Sequence, residues 1–161
     1  MNNDSFEFRV NKLKKNIKNP GLAMEDNLTE LESLLELSPV STELLCMKAD
    51  LHYELAAVTD MSHKEKPIDL YKQALAIDKD NYEVVTKLAI YLSVVLEDYS
   101  DSLDYFAKSV NLRSDEDVYL LYAEALANLE RPNEAIEIVK DSELDEDAIQ
   151  RIVEDITEEY L

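Results

Sequence analysis

An all-α fold of about nine helices follows from three observations on this 161-residue sequence. It holds one glycine, Gly21, where average usage of about 7% would give about eleven. A chain so poor in the residue that takes positive φ cheaply is not rich in tight hairpins and builds no glycine loop around a phosphate. P-loop and dinucleotide-binding folds are thereby excluded. Apolar residues recur with helical spacing in bursts separated by polar punctuation. The bursts themselves repeat at 34 residues.

Phe6, Val10, Leu13 and Ile17 form the first stripe, which stops at Asn19-Pro20-Gly21. Leu28, Leu31, Leu34, Leu35 and Leu37 form the second, ending at Ser38-Pro39. The third helix spans about Thr42 to Leu55, with Leu44, Leu45, Ala49 and His52 on one side. Pro67 suits the first turn of the fourth, where its missing N–H costs nothing. That helix carries Ile68, Leu70, Tyr71, Ala74, Leu75 and Ile77. The fifth, about Asn81 to Leu96, has Val84, Val85, Leu88, Ala89, Leu92 and Val95. The sixth, about Ser100 to Leu112, has Leu103, Phe106, Val110 and Leu112. A seventh covers about Asp115 to Leu129, and Pro132 opens an eighth that ends near Asp141. The ninth, from about Leu144, turns Ile149, Ile152, Val153, Ile156 and Tyr160 inward and Glu154, Asp155, Glu158 and Glu159 outward.

The repeat is visible in Ala89 and Ala123, and in YKQALAIDKDN (71–81) against YFAKSVNLRSD (105–115), each 34 residues apart. LESLLELSPVS (31–41) lies 40 upstream, the extra six residues fitting the polar stretch Thr59–Lys66. Over residues 8–142 the chain resembles the tetratricopeptide repeat family, with three and a half to four helix-turn-helix units. Ala49, Ala89 and Ala123 match the family's small first-helix residue, where two helices approach closely. Ser102 and Ala135 match the small residue opening the second helix, from which Pro67 departs. Tyr71 and Phe106 match its later aromatic, with Val139 a departure; Ala74, Ser109 and Ser142 match the small residue after it. The inter-repeat proline survives only as Pro39, with Lys79 and Ser114 elsewhere. The resemblance implies one domain, a right-handed superhelix of antiparallel helix pairs. Its parts would be a degenerate first repeat (5–41), repeats at 42–81, 82–115 and 116–142, an inter-helix loop at 58–66 and a capping helix at 144–160. Ala89 and Ala123 should then be buried.

Net charge is −20 and unevenly spread. Residues 1–20 carry +3, residues 21–113 carry −10, and residues 114–161 carry −13. Such a field repels phosphate backbones and anionic membranes and attracts basic partners. No window approaches 18 uninterrupted apolar residues, and the first twenty residues lack a signal-peptide core, so a cytoplasmic location is expected, shared with the nucleus in a eukaryote. Cys46 is the only cysteine, which leaves no internal disulfide.

Catalysis needs convergent groups, and the sequence offers few. His52 lies on an inward stripe and His63 in a polar loop; with one cysteine they build no Cys/His zinc site. Cys46 and His52 stand about 240° apart around one helix, too far for a dyad. Asp141–Asp147 superficially suggests a calcium loop, but Glu146 stands at the turn glycine and Ile152 at the bidentate glutamate. Acids in the first turn of a helix explain it better. No metal, cofactor or catalytic residue is expected.

In the family, the first helix of each pair lines a concave groove that binds peptides. Carried over residue by residue, the third helix would present Glu43, Met47, Asp50 and Glu54. The fifth would present Glu83, Lys87, Ile90 and Val94, and the seventh Asp117, Leu120, Leu121, Glu124 and Asn128. The family's chaperone-tail clamp of Lys, Asn and Arg residues is absent, since Lys87 alone cannot hold two carboxylates. The expected partner-binding set is therefore Met47, Asp50, Glu83, Lys87, Ile90, Asp117, Leu120, Leu121 and Glu124. It would take a basic, partly apolar segment of a client protein, as an adaptor or dedicated chaperone does. Nucleic acid and membrane insertion are not expected, and a homo-oligomer is compatible. The competing readings are an enzyme or enzyme subunit with a carboxylate site and a purely structural assembly subunit. The lysines of the first helix complicate the first reading, because they could cover an acidic surface of the same molecule or of a second copy.

Overall fold

Helix-period patterning is realised throughout the computed structural model, which describes residues 3–17, 24–58 and 65–161. The helices are α1 (Asn3–Ile17), α2 (Met24–Leu37), α3 (Thr42–Val58), α4 (Lys66–Ile77), α5 (Tyr82–Ile90), α6 (Tyr99–Leu112), α7 (Glu116–Asn128), α8 (Pro132–Lys140) and α9 (Glu146–Tyr160). No strand occurs among the described residues. The Asn19-Pro20-Gly21 stop, His63 and most of the loop expected at 58–66 lie outside them.

Starts and stops are local chemistry. Side-chain oxygens of Asn81, Asp98 and Asp145 accept the N–H groups of Val84, Asp101 and Ala148, satisfying donors that have no partner within the helix. Ser41 does the same for Leu44. Pro67 and Pro132 sit in the first turns of α4 and α8. The last helix begins at Glu146, two residues later than the apolar pattern suggests, because Asp145 caps it.

The chain forms two compact units, Met1–Lys79 and Asp80–Leu161. In the first, α2 packs on α1 and α3, and α3 on α4. Its core holds Val10, Leu13, Leu31, Leu34, Leu44 and Leu51. The basic first helix is tied down within the unit. Arg9 donates to both carboxylate oxygens of Glu30, at 2.7 and 3.1 Å, and to Ser33; Lys14 pairs with Glu43.

In the second unit, α5 packs on α6, α6 on α7, α7 on α8, and α9 on both α7 and α8. Short connections make successive helices antiparallel. Most small residues matched to the repeat are buried: Ala89, Ala123, Ser102, Ser109 and Ala135 fully so, as are Ala49 and Ala74 in the first unit, whereas Ser142, after the end of α8, is only half-buried. The two fully buried serines satisfy their hydroxyls, Ser102 on the Tyr99 carbonyl and Ser109 with Thr86 at 2.6 Å. Phe106 is fully buried and stacks on Tyr122. At the junction lacking a proline, the Arg113 guanidinium lies 3.8 Å from the centre of the Tyr82 ring. Arg113 and the Tyr82 hydroxyl both donate to Asp115. Burial opposes ionisation of Asp115, but these two hydrogen bonds prevail and hold its carboxyl below the usual range.

Three features differ from the sequence expectation. The fifth helix does not run α-helical to Leu96: it ends at Ile90, and Tyr91–Val95 form a π-helical turn. The Leu96 N–H reaches the Tyr91 carbonyl and the Asp98 N–H that of Leu92. Glycine scarcity does not abolish positive φ, since Glu97, between the π turn and α6, and Glu130, between α7 and α8, adopt φ of 55° and 62°. Each such residue costs about 1–2 kcal/mol without glycine's freedom. Finally, Leu37, Ile77 and Leu112 close their apolar stripes yet stay exposed, because each is the last residue of its helix.

Candidate partner-binding site

The expected face is best formed in the second unit, on α5, its π turn and α7. Glu83 is exposed and forms an i,i+4 pair with Lys87 at 3.1 Å, so these two largely neutralise one another. Ile90 is half-buried against the cluster of Ala89, Phe106, Val118 and Ala125. One turn on, Val94 is 58% exposed, too much for a core valine of a solenoid helix.

On α7, Asp117 is exposed. Leu120 and Leu121 are both half-buried, but they point to different neighbours. Leu120 packs on the C-terminal cluster that includes Tyr119, Ala123, Ile152 and Ile156. Leu121 packs on the Ala89–Phe106 cluster. Leu120 thus has a packing role that its adjacency to Leu121 concealed.

Leu121 and Glu124 meet at a cavity of about 220 Å³, also lined by Ser93, Val94, Glu97, Tyr99, Ala125 and Asn128. The π turn supplies Ser93 and Val94, and the left-handed residue Glu97 follows it. Val94 and Asn128 are among the residues the fifth and seventh helices were expected to present, outside the expected partner-binding set, whereas Ser93, Glu97, Tyr99 and Ala125 were missed. The missed residues depend on a turn conformation that helical periodicity does not encode.

Burial raises the Glu124 carboxyl above its usual range, and the like charges of Glu159 and Asp155 on α9 push in the same direction. Among the described residues no cation forms an ion pair with it. Its neighbour Asn128 donates to the Glu124 carbonyl at 2.8 Å and to the Tyr160 hydroxyl at 3.1 Å, joining α7 to α9. Because the folded pKa of Glu124 is raised, ionising it works against the fold. The penalty is absent below the unfolded carboxyl value of about 4.3 and complete above the raised folded value. Glu124→Gln should therefore stabilise the protein at neutral pH and give no advantage at acid pH. Denaturant melts at the two pH values check this. Glu159 and Asp155 of α9 are the charged groups that act on it, and Glu124 in turn helps to push the Tyr160 hydroxyl up, after burial and Glu159.

In the first unit the corresponding residues are occupied with structure. Met47 packs on the Leu31–Leu51 cluster, and Asp50 accepts the Tyr71 hydroxyl at 2.6 Å. Glu43 holds Lys14. No group of His, Cys, Asp and Glu able to hold a metal occurs among the described residues, and no described helix is long and apolar enough to cross a membrane.

No protein-family model matches the chain, and no curated protein sequence matches it significantly. Solved structures do. A crystal structure of MamA superposes with a TM-score of 0.72 at 14% identity, covering 98% of this chain and 83% of that one. A second MamA crystal structure gives 0.71 at 15% identity, covering 98% and 78%. The structure of MamA MSR-1 C2 gives 0.68 at 18% identity, covering 96% and 86%. At such identities the likeness is one of fold: an all-α, tetratricopeptide-like arrangement of helix pairs.

Proposed function

We propose that this chain is a protein-interaction module, without catalysis of its own, that holds a basic, partly apolar segment of a client protein. The α5/α7 face of the second unit carries the contact. Asp117 and Glu124 steer the segment, while Val94, Ile90 and Leu121 receive its apolar side chains. Glu83 acts more weakly because Lys87 screens it, and Leu120 acts through the packing of α7. Met47 and Asp50 contribute less, being held by the core and by Tyr71. An adaptor or a dedicated chaperone works in this way.

The observation that carries the reading is the cavity at Glu124. A half-buried carboxylate with like-charged neighbours and no paired cation, beside an exposed valine, is complementary to a cation on an apolar stem. The −20 net charge extends the attraction beyond contact distance. The test is salt. An amphipathic lysine–leucine peptide should associate about tenfold or more slowly as ionic strength rises from well below to well above physiological, because screening removes the steering. An association rate that does not respond to salt would contradict the reading.

A further inference from the structure

We infer that the cavity at the α5 π turn takes a single arginine side chain of the client, its guanidinium satisfied by the carboxylates of Glu124 and Glu97 and its stem lying along Val94 and Leu121. The inference rests on the function proposed above and narrows it from a basic segment to one residue. Two carboxylates belong to the lining of one cavity, and no lysine, arginine or histidine does. Its volume, about 220 Å³, is several times the share of one water molecule, about 30 Å³, so it has room for a long side chain. The apolar lining of Val94, Leu121 and Ala125 suits methylene groups, and the polar lining of Ser93 and Asn128 suits a multi-donor head.

Arginine fits this lining better than lysine. Its planar fork donates to two carboxylates at once, it is more weakly hydrated than an ammonium, and it stacks on an aromatic face such as that of Tyr99. Lysine brings a compact, strongly hydrated charge that would leave part of the lining unmet. Bound arginine would also counter the repulsion that Glu159 and Asp155 exert on Glu124.

The probe is a labelled peptide of alternating leucine and lysine with one central arginine, compared with versions carrying citrulline or lysine there. Affinities are measured by fluorescence anisotropy on the full chain, and amide shifts of the protein are followed by NMR. Replacing arginine by citrulline should weaken binding about tenfold, the worth of one charge-assisted hydrogen-bond set. That loss should shrink in Glu124→Gln and in Glu97→Gln, as coupled partners require. Equal affinity of the arginine and citrulline peptides, with Val94 and Leu121 still shifting, overturns the arginine site and leaves the broader function standing. Equal affinity of the arginine and lysine peptides overturns the preference for arginine. Peptides that leave Val94, Leu121 and Asn128 unshifted overturn both the site and the function.

Discussion

Removing residues 144–161 should leave a protein that aggregates and melts at a markedly lower temperature. The deletion takes away α9, whose Ile152 and Ile156 are almost fully buried against Tyr119, Ala123, Leu126, Ala127, Ala135 and Val139. Burying an isoleucine side chain is worth about 1.5–3 kcal/mol, so these two residues alone contribute about 3–6 kcal/mol. Against a typical domain stability of about 5–15 kcal/mol, that is a large share. The partners left behind on α7 and α8 would present a contiguous apolar surface, which drives association. The outer face of α9, with Glu154, Asp155, Glu158 and Glu159 exposed, is what a terminal unit of a helical array needs to stay in solution. Light scattering and a thermal melt of the truncated protein check this. A monomer with an unchanged melting temperature would show that α9 is no cap.

Most of this architecture was legible because it depends on spacing. Helix positions followed from apolar periodicity and from Pro67 and Pro132. The buried alanines followed from a 34-residue recurrence of small residues at helix crossings. What escaped depends on interactions that periodicity does not carry. The π turn at Tyr91–Val95 retains an apolar pattern compatible with an α-helix, so only the backbone bonds reveal it. Glu97 and Glu130 take positive φ although neither is glycine or asparagine, the residues that would have signalled a left-handed turn. At the candidate site, Glu124 and Leu121 were readable as residues of one helix face. Their meeting with Glu97 and Tyr99 was not, because it requires the π turn to place those residues. Leu120 also packs on a cluster that includes α9, a contact that is invisible in the stripe of a single helix.

The second large effect concerns the client. Asp117→Lys/Glu124→Lys should slow association with a basic partner by about tenfold or more at low salt, since electrostatic steering raises encounter rates by about 10–1,000-fold. Asp117 is exposed and Glu124 half-buried, so on this proposal the first would act mainly at a distance and the second at contact. Reversing both therefore removes attraction along the approach and places a cation at the cavity. Leu121→Ala is the complementary change, expected to speed dissociation while sparing association, because apolar contacts form after encounter. The measurement that tests the central claim most directly is the stopped-flow association rate of the amphipathic basic peptide with wild type and with Asp117→Lys/Glu124→Lys at low salt. The acidic-face account predicts a fall of about tenfold or more, vanishing at high salt. Equal rates for the two proteins at low salt would contradict it, and would leave the negative charge with no part in recognition.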